Sequence, residues 1–528
     1  MSPADRIANS CDNLGRVLHF SDSYAYAPEV LLGGNPGPAV PRLVKRFQGS
    51  IKWTDPTDYS GGVSTGMASP IRKCDEAISS LRVADNWMRK ATMLRARGMY
   101  HLVDGNRNEA IRDFRDARQI VADAGDPSEL RLGFITTINL LLSAAYDGHI
   151  NRHEVQDSIH TWLLEATKAY PYSDQLQALV IRRLSPSYLS SPESESYRQQ
   201  VATLSPRLLN EVADIEEWLG SAQNAYDMHQ TLTRSASQVT PVRRELILSH
   251  AKSAALAARM SRFTVANDHI KKASQLLELY SAAYQKERAQ NPRGYIGVHA
   301  EGIQREIDNY ERLVKGYQLN EADNEARLLH YLQENSTFPN IGSTFHLFKA
   351  IEDKWSLKFT NTTDLNTVFV RSRLNLEKID MKALVQQIGE LAPVIVDIQQ
   401  QSGMTPAFPV FNIKHSGYKV TELGEGRLEV EYTREGAAAA QVQELALLKA
   451  AMIATEEGKA GFYVEDEQNY RFIKNTTQSG MTLSSDTVGF RSKIIVRLIE
   501  KIDPSTEFGM AVSLNASRVV ADLSAKYL

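Results

Sequence analysis

The string Gly62-Val63-Ser64-Thr65-Gly66 is the first place in the chain where residue types and spacing could do chemistry. A serine flanked by glycines in this pattern belongs to a hydrolase nucleophile elbow, where a sharp strand-to-helix turn exposes the hydroxyl. That turn needs a buried strand before it and a helix directly after it. Here residues 55–61 are polar and residues 67–70 are a poor helix start, so a serine hydrolase stands only as a remote alternative. His149 and His153 stand four apart, with Glu154 beside the second. A zinc-protease helix carries its glutamate directly after the first histidine, where this chain has Ile150. The pair follows Asp147-Gly148 in a connection between helices, so solvated loop histidines are expected. The adjacent acids Glu216-Glu217, Glu456-Glu457 and Glu465-Asp466 read as solvated surface. There is no phosphate loop ending in Gly-Lys-Ser/Thr, and no G-x-G-x-x-G opens a helix. No catalytic residue, metal or cofactor is expected, and the chain is read as a non-enzyme.

Composition points the same way. The 528 residues are 42% apolar and 23% charged, ordinary values for a folded protein, and long enough for two to four domains. A formal charge of −3 argues against broad adhesion to nucleic acid or anionic lipid. No run of about eighteen apolar residues suggests a membrane span. The first twenty residues lack the apolar core of a secretory signal. One stretch, 243–288, is markedly basic (Arg243, Arg244, Lys252, Arg259, Arg262, Lys271, Lys272, Lys286, Arg288). It could line a groove for an acidic peptide, although its charges point several ways around a helix and a solvated face explains them more simply.

The elements that would position these residues divide the chain into four. Residues 1–70 form a turn-rich, aromatic-bearing N-terminal wrap. Residues 71–335 are helical almost throughout. In the stretch 91–124, Leu94, Gly98, Gly105, Ala110, Phe114 and Ala117 fall where two antiparallel helices cross closely about a small-residue contact. Gly98 and Ala110 leave room, Phe114 fills it, and Gly105-Asn106 turns the chain. Arg97 stands where an apolar residue is usual, so that flank is expected to face solvent. A weaker copy over 247–280 uses Ala254, Ala257, Ala266, Ile270 and Ala273. Further helices are expected at 130–146, 154–170, 173–184, 206–223 and 301–332. Residues 336–409 form a mixed connecting region, with short strands over 355–376 and a helix over 381–400. Residues 410–528 read as a small α+β domain. In it Leu428, Val430 and Tyr432 alternate with Glu429 and Glu431, while Phe490, Ile494, Val496 and Leu498 alternate with Arg491, Lys493 and Arg497. The acids and bases are placed to pair across strands. Between them lies a helix whose stretch 445–454 is apolar nearly all round, and which must be covered on two sides.

The pattern of 91–124 resembles the tetratricopeptide repeat, a helix hairpin that recurs about every 34 residues. The resemblance extends in weaker form over most of 71–335. It implies a mainly α, TPR-like helical-hairpin array followed by the α+β module. Such hairpins stack and curve because none can bury both faces alone, and in that family the concave groove holds peptides or segments of other proteins. Groove positions by helical phase are Thr92, Arg95, Met99 and Leu102 in the first hairpin, and Leu248, Ala251, Ala255 and Arg259 in the later one. The run Gly417-Tyr418, Leu428, Val430, residues 447–451 and residues 458–463 resembles a small domain of Gram-negative envelope lipoproteins. That resemblance implies a periplasmic home, with the cytoplasm as alternative.

In an oxidising compartment Cys11 and Cys74 are expected to form a disulfide anchoring the wrap; two reduced thiols are the alternative. The expected partner is another protein or peptide, with a self-assembling structural subunit as the rival reading. No nucleic acid and no integral membrane span are expected.

Overall fold

The computed structural model describes residues 11, 68–79, 86–124, 129–147, 152–236, 244–290, 300–335, 341–355, 381–391, 417–435, 437–478, 481–502 and 513–528. The helical part opens with α1 (Ala68–Ile78), α2 (Trp87–Val103), α3 (Arg107–Asp123), α4 (Glu129–Ala145) and α5 (Gln156–Ala169). It continues through α6 (Asp174–Ile181), α7 (Pro186–Leu189), α8 (Pro192–Ala202), α9 (Pro206–Leu219) and α10 (Ala222–Ala236). Then come α11 (Arg244–Arg259), α12 (Phe263–Gln290), α13 (Ala300–Glu321), α14 (Glu325–Glu334), α15 (Gly342–Trp355) and α16 (Met381–Glu390). Helices pack in consecutive pairs, α2 with α3, α4 with α5, α9 with α10 and α11 with α12, and the first helices of neighbouring pairs also touch, α2 on α4 and α11 on α13. This is the stacking expected of a hairpin array.

The first hairpin shows why the chain folds so. Asn86 caps α2 by accepting from the N–H groups of Met88 and Arg89. Gly105, at φ +85°, makes the turn into α3. A Cβ on Gly98 would lie 2.5 Å from Phe114 Cε1, so the helices can cross here only because residue 98 is glycine. Arg97 does not face open solvent. Its guanidinium donates to both oxygens of Asp113 (2.9 and 2.6 Å) and to Asp75 on α1 (2.6 Å), riveting three helices together.

Several expected boundaries shift. The helix expected over 206–223 stops at Leu219, because Gly220 adopts φ +101° and closes α9; a separate helix begins at Ala222. The helix expected over 301–332 breaks where Asp323 takes φ +55° and Asn324 caps α14. Helix α1 begins at Ala68, ahead of the boundary expected at residue 71. Pro70 sits in its first turn, where a missing N–H breaks no helical bond, which removes one objection to Ser64. Ser64 itself, His149, Arg243, most of the N-terminal wrap and the strands expected after residue 355 lie outside the described residues; of His153, Lys286 and Arg288 only the backbone is described.

The C-terminal module comprises β1 (Gly417–Gly424), β2 (Arg427–Glu435), α17 (Ala439–Glu456), β3 (Gly461–Gln478), β4 (Met481–Ile499), β5 (Ser513–Asn515) and α18 (Ala516–Tyr527). Its antiparallel sheet runs in the order β1-β2-β4-β3-β5. Leu428, Val430, Tyr432, Phe490, Ile494 and Val496 are buried against α17. On the other face Lys493 pairs with Glu429 (2.6 Å) and Arg491 with Glu431 (3.4 Å), the cross-strand pairing expected. Strands β3 and β4 run much longer than the alternation showed. They stay paired out to Gln478 opposite Met481, well beyond the last β2 partner, Glu435 opposite Gly489.

Helix α17 is covered by the sheet on one side and by α18 on another. Its Glu444, fully buried, accepts from the Tyr172 N–H (3.0 Å), the Tyr527 hydroxyl (2.7 Å) and Lys526 Nζ (2.7 Å). The Tyr172 hydroxyl donates to Asp522 (2.5 Å), and Lys526 lies 4.2 Å above the Tyr170 ring. These bonds lock the module to the array at the turn after α5.

Candidate functional site

The first helices of the hairpins form the face where the array would hold a partner, and in this structure that face is filled by the chain itself. Helix α16 lies across α2 and α4. Its Leu384, Val385 and Ile388, with Leu391 just beyond, join the apolar cluster that contains Met99, Leu102, Phe134 and Ile138. Gly389 lets it come close: a Cβ there would sit 3.1 Å from Met99 Cε. Helix α15 lies across α9, α11 and α13. Its Leu347 and Ile351 join Ala251, Ala255, Leu313 and Val314. A Cβ on Gly316 of α13 would be 2.7 Å from Leu347 Cδ2, so α15 too seats on a residue small enough to admit it.

The expected groove positions are placed accordingly. Thr92, Arg95, Met99 and Leu102 are 0, 1, 1 and 2% exposed, and Ala251 and Ala255 are fully buried. Leu248 and Arg259 are half-buried. Six of the eight are therefore buried in this structure, and Met99, Leu102, Ala251 and Ala255 share apolar clusters with the covering helices. Arg95 is held beneath the surface with its guanidinium 5.2 Å from the Phe134 ring centre. Arg259 donates to the carbonyls of Glu217 (3.1 Å) and Gly220 (2.9 Å), closing the end of α9. Among the other basic residues of that stretch, Arg244 pairs with Glu306 (2.6 Å) and Lys252 with Asp214 (2.5 Å), while Arg262, Lys271 and Lys272 are exposed. Among the described residues, Arg244, Lys252 and Arg259 thus serve three different neighbours.

α15 is held by polar bonds along its length. The Ser343 N–H donates to buried Glu217 (2.8 Å), and the Tyr317 hydroxyl donates to the Ser343 carbonyl (2.6 Å). His346 Nε2 meets the Trp218 carbonyl (3.1 Å), and Trp355 Nε1 donates to Asn320 (3.1 Å). Burial pushes the Glu217 carboxyl up from its ordinary range. Burial, with the Arg259 charge nearby, pulls His346 down to about 4. The described contacts of α16 are apolar.

Behind the face, α10, α11 and α12 enclose further histidines. His250 Nδ1 lies 3.0 Å from His269 Nδ1, and His269 Nε2 lies 3.2 Å from the Tyr226 hydroxyl. Burial, and then the His269 charge, lowers His250 to about 4, and burial lowers His269 and His229. Among the described residues no group of three or more His, Cys, Asp or Glu is arranged to hold a metal ion, and no helix is long and apolar enough to cross a membrane. An open cleft of about 470 Å³ on α3 is lined by Asn108, Arg112, Arg115, Asp116, Tyr146 and Glu154, a mixed-charge set. Cys11 and Cys74 are joined, and lie buried against Met93, Ala96 and Tyr100 of α2.

The geometry defines a class: a TPR-like array of helical hairpins with an antiparallel α+β module at its C-terminal end. No family model matches the chain, and no curated protein matches it. Among solved structures it is similar to that of a Rap protein complexed with competence and sporulation factor. That match has 12% identity and a TM-score of 0.27, and covers 73% of this chain and 100% of the other. A likeness of that size carries no argument about a partner.

The occupants of the face were the feature that sequence reasoning missed. The spacing of Leu384, Ile388 and Leu391 marks α16 as a helix, while α15 and the faces that both helices cover are not legible in the sequence. The available signal was the pairing of Leu384, Ile388 and Leu391 at helical spacing with a downstream position in the chain.

Proposed function

We propose that the protein is a non-catalytic scaffold that binds a helical segment of another protein on the face built by the first helices of its array. One observation carries the reading: amphipathic helices, α15 and α16, already lie across that face, so its shape and apolarity suit a helix. Helix-in-groove recognition uses this geometry, with aliphatic anchors at three- and four-residue spacing.

The bacterial envelope is the proposed home. The Cys11–Cys74 bridge supports it, since structural disulfides persist in oxidising compartments, as does the resemblance of residues 415–465 to envelope lipoprotein domains. Affinity capture of the full chain from its native host tests the scaffold reading. A discrete protein retained at fixed stoichiometry is expected. A protein that emerges alone under every wash, yet hydrolyses an ester in a manner lost with Ser64→Ala, would replace the scaffold reading with the hydrolase one.

A further inference from the structure

The turn at Ser261, where φ is +59°, folds α12 back along α11 and sets His250 opposite His269. Their Nδ1 atoms lie 3.0 Å apart and the rings meet nearly head-on, with centroids 5.3 Å apart. Between two neutral imidazoles such a contact is an N–H···N hydrogen bond, so one Nδ1 carries a proton and the other offers a lone pair. On the far side of His269, Nε2 lies 3.2 Å from the Tyr226 hydroxyl and 3.3 Å from Gln230 Nε2. Gln230 in turn donates to the Ser253 hydroxyl (3.2 Å). These partners fix the ring with Nδ1 towards His250, as a metal-bound histidine is oriented through its other nitrogen. Both imidazoles are half-buried, so an ion reaches them from solvent.

An ion held by histidine sits about 2.0–2.1 Å from each nitrogen. Two nitrogens 3.0 Å apart then subtend about 90–100° at the ion, the angle of tetragonal and octahedral spheres and tighter than a tetrahedron's. We propose that His250 and His269 form a two-imidazole site for a divalent transition ion of that geometry, nickel or copper, with water in the remaining positions. The pair needs one rearrangement. The shared Nδ1 proton moves to Nε2 through solvent, and the rings pivot until both lone pairs converge on the ion. His269 then donates from Nε2 to the Tyr226 oxygen, and no proton is released. Asp268, whose charge acts on His269, and Lys272, whose charge acts on His250, are of opposite sign and offset one another beside the ion. The bound ion joins α11 to α12 through two coordinate bonds. With two protein ligands, one fewer than the clusters absent among the described residues, it stays exchangeable. The inference is independent of the scaffold reading.

The test titrates nickel(II) chloride into the full chain, without an affinity tag, at about pH 8, where ordinary histidines are neutral. Calorimetry compares the wild type with His250→Gln, His269→Gln and the double variant. Wild type is expected to bind one nickel ion more than any variant. Each single change should weaken that ion at least about tenfold, the least that disturbing a metal ligand's surroundings costs, and the double change should weaken it no further. Copper(II) in the wild type should show electron-paramagnetic hyperfine splitting from two imidazole nitrogens, lost in both single variants. Circular dichroism establishes that the variants fold, and nickel should raise the melting temperature of wild type but not of the variants. Equal nickel binding by all four proteins overturns the inference. So does loss in only one of the single variants, because the ion is then held by other ligands.

Discussion

Gly98 carries the close crossing of the first hairpin. Gly98→Ala places a methyl group against the Phe114 ring, and overpacking of that kind typically costs ~1–3 kcal/mol. Thermal unfolding should show the loss, and Phe114→Leu in the same chain should recover part of it; an unchanged melting temperature would mean the helices do not cross there. Glu444 is the other single residue on which much depends. In Glu444→Gln, Lys526 loses its buried anion, and breaking such a pair costs a few kcal/mol; with Lys526 still partly wet, ~2–3 kcal/mol is expected by denaturant titration. These two residues differ in how visible they are beforehand. Gly98 announces itself, because a glycine inside a helix, sixteen residues before a phenylalanine, has few reasons to be there other than a close contact. Glu444 does not. An acid within an apolar helix says that a partner must exist, but its partners come from Tyr172 and the last helix, far away in the chain. Arg95 misleads outright: a charge at a groove-phased position suggests solvent, whereas this guanidinium is buried over the aromatic ring of Phe134.

At the scale of elements, the histidines on α10, α11, α12 and α15 make the middle of the array acid-sensitive. His250 and His346 are held down to about 4, and His229 and His269 are also lowered. In the unfolded chain they titrate near their ordinary value of about 6.5. Between those values the unfolded state binds more protons, so stability is full above about pH 6.5 and falls as pH drops towards 4. Glu467, raised by burial to about 7, acts the other way: it favours the fold at low pH and withdraws that support as pH rises from its ordinary value to about 7. The net histidine effect is isolated by His250→Gln/His346→Gln, which should flatten the decline of melting temperature between about pH 6.5 and 4. An unaltered slope would place the acid sensitivity elsewhere. Element types were largely legible, since periodicity reports which face of a helix or strand is apolar. It does not report what covers that face. Hence α2, β2, β4 and α17 were readable, while α15 and α18 were not, and the breaks at Gly220 and Asp323 were overrun. The glycine at 220 was a usable stop signal; Asp323, in a left-handed turn that favours glycine, was not.

In the whole molecule, long-range ties hold the array together. The Cys11–Cys74 bridge closes a loop with a sequence separation of 63, for which chain-entropy estimates give about 4 kcal/mol. Thiol titration of natively purified, denatured protein should find no free thiol, and reduction should lower stability by up to that amount; two free thiols would remove the bridge and the main support for an oxidising compartment. The central claim is that the face built by the first helices of the array holds a helical segment of another protein. Cross-linking mass spectrometry of the complex captured from the native host tests it most directly. The account predicts that one helical segment of the captured protein links to residues along α2 and α4 or along α11 and α13. If its links fall only on the C-terminal module, or only on the second helices α3, α5 and α12, the face holds no partner and the account is contradicted.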